Sequence, residues 1–186
     1  MLFKKKKTIF IFLVCLLLVK NVSSNILMFE NFNKKNSNKW EFISDQVMGG
    51  ISFGKNVFLS ENNIDFMRMS GYVSLENNGG FIQVRRKIEK TNISKLNGFK
   101  LKIRGNNSDY YLHLRTKFTI LPWQYYQAKI KVNSEWTKTS VDLENFYRSG
   151  KLLPKKIKPS HIKSIAIVAF GREHKVQVDL DEIFLY

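Results

Sequence analysis

The chain has 186 residues, with 31 lysines and arginines against 15 aspartates and glutamates, for a formal charge of +16. Its one cysteine, Cys15, lies in an apolar N-terminal run, so the remainder can hold no disulfide framework, thiolate metal site or cysteine nucleophile. The length suits one domain, and the positive balance can mean nucleic acid, an anionic membrane surface or an acidic partner, or simply lysine covering a solvated surface, which is the plainer reading.

Residues 1–24 read as a secretory signal. Lys4 to Lys7 form a positive n-region, Thr8 to Val19 an apolar run closed by Lys20, and Val22 and Ser24 supply small residues before a cleavage point. Twelve apolar residues fall short of the roughly 20 that a helix needs to cross a bilayer. The expectation is export to the periplasm or the extracellular space, with a membrane tether if the segment stays uncleaved. Cleavage would remove five lysines and no acid, leaving 162 residues and a charge of +11. For an exported domain that charge does not point to nucleic acid.

From Trp40 onward the dominant period is two, the mark of half-buried strands. Strands are predicted over Trp40–Ser44, Val57–Ser60, Ile64–Leu75 with a break near Gly71, Phe81–Arg86, Trp136–Leu143, Ile162–Phe170 and Val176–Tyr186. The alternation in 99–104, the turn Gly105 to Asp109 and the alternation in 110–115 read as a hairpin. If both of its apolar rows face a core, Lys102, Arg104, His113 and Arg115 project together from the other face. The run 126–132 extends that polar face by one strand. Ile165 to Phe170 is apolar on both sides and reads as a central strand. Ser149–Ser160 reads as a long loop, its lysines 151, 155, 156 and 158 solvated. About ten short strands suggest two packed antiparallel sheets.

Two segments carry paired glycines, Ser44-Asp45-Gln46-Val47-Met48-Gly49-Gly50-Ile51-Ser52 and Ser74-Leu75-Glu76-Asn77-Asn78-Gly79-Gly80-Phe81. Such pairs can cradle an anion or form tight turns. Neither matches a nucleotide-phosphate fingerprint. His113, His161 and His174 lie far apart with no ligand spacing, so no metal is expected. No Gly-x-Ser-x-Gly elbow supports a nucleophilic triad. Asp179 and Asp181 read as the outward row of an edge strand. The expectation is therefore no catalytic residue, no metal and no cofactor.

The two glycine segments, with Trp40, Gly71, Val84-Arg85, Gly98-Phe99, Arg104-Gly105, Tyr110, Arg115-Thr116, Tyr126-Gln127-Ala128, Trp136 and Asp142-Leu143, resemble the complex I intermediate-associated protein 30 family over roughly residues 27–186. The resemblance implies an all-β jelly-roll β-sandwich of the galactose-binding-domain-like type. It also implies a role as an assembly factor or chaperone for respiratory NADH:ubiquinone oxidoreductase. After Arg104-Gly105 the family has Asp-Gly where this chain has Asn106 and Asn107, which removes a carboxylate from that loop.

Binding is assigned to Asp45, Glu76, Arg85, Arg104, His113 and Arg115. The guanidinium forks of the three arginines suit carboxylate, phosphate or sulfate. Inward pairing of these arginines with Asp45 or Glu76 is the structural alternative, and Tyr111 and Trp123 could add stacking. The expected function is a non-catalytic binding or assembly module with a protein partner, a membrane complex among the candidates. The alternative is a carbohydrate-binding module with a glycan or another anionic ligand.

Overall fold

A computed structural model describes residues 26–89, 93 and 95–186. The segment read as an export signal lies outside the described residues. Among the described residues twelve strands run in chain order: β1 (Leu27–Glu30), β2 (Trp40–Ser44), β3 (Phe53–Glu61), β4 (Ile64–Val73), β5 (Phe81–Lys87), β6 (Gly98–Gly105), β7 (Ser108–Thr116), β8 (Tyr126–Val132), β9 (Thr137–Asp142), β10 (Tyr147–Arg148), β11 (Ile162–Phe170) and β12 (His174–Leu185). All pair antiparallel in two six-stranded sheets. The first has the order β3-β4-β12-β6-β9, with β1 also on β12; the second runs β10-β8-β7-β11-β5-β2. The result is a jelly-roll β-sandwich.

The period-two pattern explains the core. Met67, Met69, Leu101, Ile103, Val178 and Leu180 of the first sheet face Val84, Leu112, Leu114, Ile130, Ile165 and Ile167 of the second, all buried. At about 25 cal/mol per Å² of apolar surface removed from water, this two-layer burial is the dominant stabilising term. The predicted strands recur with shifted ends. Trp40–Ser44 and Ile162–Phe170 match in full, and β4 runs through Gly71 without a break, pairing there with Gly54 and Val176. β1 and β10 were not anticipated, being short and lacking a clean alternation.

The predicted hairpin is overturned. β6 pairs with β12 and β9, whereas β7 pairs with β11 and β8, so the connection after Gly105 crosses from one sheet to the other. Both apolar rows do face the core, but from opposite sides of it. Arg104 and Lys102 consequently project from the outside of the first sheet, and His113 and Arg115 from the outside of the second. Sequence alternation fixes which residues face inward and is silent on which sheet a strand joins. Asn107 supports the crossover with a left-handed φ of 55°, and its side chain accepts from the Ser134 amide.

Tyr110 pins the same crossover from inside. Its buried hydroxyl donates to Asn106 Oδ1 at 2.7 Å and sits 3.1 Å from both the carbonyl and the amide of Gln177. Burial pushes this phenol up to about 12. β12 is also corrected: it is a central strand, not an edge, with a bulge between Leu180 and Glu182. Tyr110→Phe removes one hydroxyl at the joint of the sheets, and urea denaturation should show a loss of about 1–2 kcal/mol with an unchanged slope.

Candidate functional site

The outer face of the second sheet forms a groove of about 930 Å³. Its floor follows from strand register. Ala166 of β11 lies opposite Arg85 of β5 and His113 of β7; Glu41 of β2 continues that rung on one side and Gln127 of β8 on the other. The neighbouring rung carries Ile43, Gln83, Val168 and Tyr111. β11 contributes the small residues Ser164 and Ala166 along the middle, and larger side chains stand on either side. The strand read as apolar on both faces thus covers the core with one face and floors a groove with the other.

Two loop walls bound the floor. At the end where β2 finishes and β5 begins stand Gln46, Val47, Met48, Leu75 and Asn78, with Phe53 beside them. Where β7 finishes and β8 begins stand Pro122, Trp123, Gln124 and Tyr125. β5 and β7 run parallel, each antiparallel to β11, so the walls lie at opposite strand ends and the groove crosses the strands. Its rims are apolar and open: Val47 is 74% exposed, Phe53 60% and Trp123 64%.

The first wall is held by Asp45. This carboxylate is fully buried and accepts four hydrogen bonds, from the Ser52 amide at 2.9 Å, the Ser52 hydroxyl at 2.5 Å, the Gly80 amide at 2.5 Å and the Phe81 amide at 3.2 Å. Burial raises its pKa, but the Ser52 hydroxyl and the Gly80, Phe81 and Ser52 amides outweigh burial and hold it below the usual carboxylate range. Gly50 and Gly79 wrap the same group. A β-carbon at Gly50 would lie 2.4 Å from Asp45 Cγ, and one at Gly79 would lie 2.5 Å from Oδ2. The two glycine segments do cradle an anion, and that anion is the protein's own side chain.

The six assigned residues therefore separate. Arg85, His113 and Arg115 line the groove, and Asp45 sits beneath its wall without touching an arginine. Glu76 is exposed on the wall loop and forms no arginine pair among the described residues. Arg104 is on the other side of the molecule, bound to Asp179 and Glu61 and stacked over Trp136 and Phe66. Arg85 pairs with Glu41 at 2.9 Å. Arg115 donates to the carbonyls of Thr119 and Leu121, each at 2.9 Å, and of Pro122 at 3.4 Å, which braces the second wall.

His113 stacks on Tyr125 with ring centroids 4.1 Å apart and planes 9° from parallel. Burial lowers its pKa to about 3, against a weaker upward pull from Gln127, so it is neutral at physiological pH. Trp123 lines the groove, whereas Tyr111 supports it by packing on Phe170 at 4.5 Å.

Glu30 went unrecognised in the sequence. Buried at the start of β2's approach, it accepts from the amides of Asn31 and Phe32, from Asn36 and from the Trp40 indole, and it pairs with Arg86. A lone glutamate before a lysine-rich segment gives no signal of this. Among the described residues, no three histidine, cysteine, aspartate or glutamate side chains converge to hold a metal. No helix among them is long and apolar enough to cross a membrane.

Residues 29–180 match the family described as Complex I intermediate-associated protein 30 (CIA30). The chain belongs to that family. No curated protein matches it. Solved structures share the fold of this family member at low identity. The family 11 carbohydrate-binding module from Clostridium thermocellum, in complex with a β-1,3-1,4-mixed-linked tetrasaccharide, is 15% identical, with a TM-score of 0.69 over 86% of this chain and 94% of that one. The family 11 module of the cellulosomal cellulase Lic26A-Cel5E of Clostridium thermocellum is 14% identical, with a TM-score of 0.69 over 86% and 93%. An exo-β-agarase is 11% identical, with a TM-score of 0.57 over 86% of this chain and 25% of the enzyme.

Three outcomes follow for this family member. Gly79→Ala should cost about 1–3 kcal/mol, because the new methyl meets a carboxylate already fixed by four bonds. Asp45→Asn should cost about 3 kcal/mol and weaken the acid dependence below about pH 4, since a depressed carboxyl pKa stabilises above its unfolded value and is lost as pH falls through the folded one. His113 acts at higher pH. It stays neutral when folded but gains a proton when unfolded, so stability falls by about 2 kcal/mol from pH 6.5 to pH 5. Denaturation of His113→Phe across that range should show a flatter profile than the parent.

Proposed function

We propose that this protein is a non-catalytic binding module that holds an extended segment of a protein partner in the groove and helps a membrane or envelope complex to assemble. Residues 1–24 would deliver it to that compartment as one exported domain. The observation that carries the reading is the apolar rim on both walls, where Val47, Met48, Phe53 and Leu75 face Trp123 across a floor of mixed polar and apolar side chains. Aliphatic and aromatic side chains left open beside a groove are the usual mark of a protein contact. Family membership supports it, since the family takes its name from association with complex I intermediates.

The test is a photo-crosslinking residue placed at Trp123 in the producing cell, with one at Lys156 on the solvated loop as the control. Crosslinking to a defined membrane protein from position 123 alone is the expected result. Equal labelling from both positions, or none from either, contradicts the proposal.

One observation favours a second reading, a glycan ligand. The rings of Phe81, Phe170, Tyr125 and Trp123 share the groove with the planar amides of Gln46, Gln83 and Gln124, a mixture that suits the faces and hydroxyls of sugars. The family 11 neighbour in complex with a tetrasaccharide makes that mixed-linkage glucan the natural probe. Calorimetry should give saturable heat that Trp123→Ala abolishes if this reading holds, and no heat if the protein-partner reading does.

A further inference from the structure

We infer that the segment bound in the groove is acidic, an extended peptide whose aspartate or glutamate seats between Arg85 and Arg115 while apolar side chains on either side meet the two rims. This rests on the protein-partner reading and adds the chemistry of the partner.

The charged side chains lining the groove are Glu41, Arg85 and Arg115. Arg115 has no carboxylate partner among the described residues; each of its acceptors is a backbone carbonyl of the second wall. Those bonds fix the direction of the guanidinium without cancelling its charge. A cation ordered in advance binds an anion with less loss of side-chain freedom than a mobile surface lysine would.

Arg85 adds a second positive group on the same floor. The strands that carry the two arginines are separated by β11, with Arg85 opposite Ala166 and Arg115 opposite Ser164, so their backbones lie roughly 12 Å apart, a span two long side chains can close around one carboxylate. Burial first, and then the nearby charge of Arg85, depress the Arg115 pKa, in keeping with a partly desolvated guanidinium close to a second cation. Arg85 has only Glu41, whose side chain is 65% exposed on the edge strand β2. An incoming carboxylate can displace it and gain the fork geometry of a guanidinium pair. His113 is neutral and does not compete.

Groove length fits a peptide. Four strands, β2, β5, β11 and β7, carry lining residues and give a crossing of roughly 14 Å, about four residues of extended chain, with Tyr125 just before β8 at the far end. The formal charge of +16 over the whole chain favours encounter with an acidic partner at low ionic strength. Exposed aliphatic Val47, Met48 and Leu75 favour a peptide over an acidic polysaccharide, because sugars stack on rings and gain little from aliphatic tips.

A displayed library of random nonapeptides, selected on the purified full chain, reads the preference directly. The expected outcome is enrichment of aspartate or glutamate at one position with Leu, Ile, Met or Phe beside it. Fluorescence anisotropy on a selected peptide should then show roughly tenfold weaker binding when its acid is changed to the amide, and the same loss with Arg115→Met. Because Arg115 also braces a loop, Glu41→Gln provides the independent arm. It removes an exposed competitor for Arg85 and should tighten binding severalfold.

Selection without acidic enrichment, equal affinity for acid and amide peptides, or a neutral Glu41→Gln overturns the inference. Polygalacturonate displacing the peptide and binding more tightly would assign the groove to an acidic glycan, and concentration-dependent dimerisation blocked by Trp123→Ala would assign it to a second copy. Either result also overturns it. If position 123 still crosslinks a membrane protein while the acid preference is absent, only the inference about charge falls. If position 123 crosslinks nothing, the protein-partner reading falls as well.

Discussion

The buried carboxylate of Asp45 is the contact on which the groove face depends. Four donors from two loops that are distant in sequence converge on it, one on Oδ1 and three on Oδ2, all inside the protein. A buried anion is costly unless it is fully hydrogen-bonded, and a carboxylate met by amides and a hydroxyl satisfies that requirement without an opposing cation. The consequence is geometric. Because Ser52, Gly80 and Phe81 must reach one point, the loops at 45–52 and 74–81 are held together, and with them Val47, Met48, Leu75 and Asn78, which form one wall of the groove.

The opposite wall is built differently. Arg115 gathers three carbonyls of the turn after β7, and Tyr125 is held flat against His113. One wall is thus tied by a satisfied anion and the other by a cation whose charge is not cancelled by any carboxylate among the described residues. Among the described residues, behind one wall of the groove lies a buried anion with no cation beside it, and at the other a guanidinium with no carboxylate beside it. On the far face of the sandwich, Arg68 and Arg104 bind Asp179, Arg104 also binds Glu61, and Lys102 binds Asp181. That network neutralises its own charges, so the two outer faces of one fold present different electrostatics.

The sandwich was legible in the sequence wherever one face of a strand is solvated, as in β2, β6, β7 and β8, since the period of two marks the inward row directly. Sheet membership was not legible. The alternation of 99–104 and 110–115 is the same for a hairpin and for a crossover between sheets, and only long-range pairing with β11 and β12 separates them. The same limit split the assigned site. Arg85, His113 and Arg115 were found because polar residues on an outward row point to a face, and Arg104 was grouped with them through the wrong pairing. Asp45 was located by its glycine neighbours, although its role is to hold the wall rather than to meet a ligand. Glu30 carried no pattern, because its partners come from a loop, an indole and another strand.

Family membership and fold bear on different levels of function. The family concerns what the domain is for, and the carbohydrate-binding neighbours at 14–15% identity concern only how its chain is arranged. Both leave the groove as the surface through which a ligand would act, and its shape follows from the clamp at Asp45. Residue-resolved amide hydrogen exchange tests that clamp most directly. If the loops are held as described, the amides of Ser52, Gly80 and Phe81 exchange as slowly as those of the central strand β11. Exchange of these three amides at the rate of exposed loop positions such as Asn77 would contradict the account.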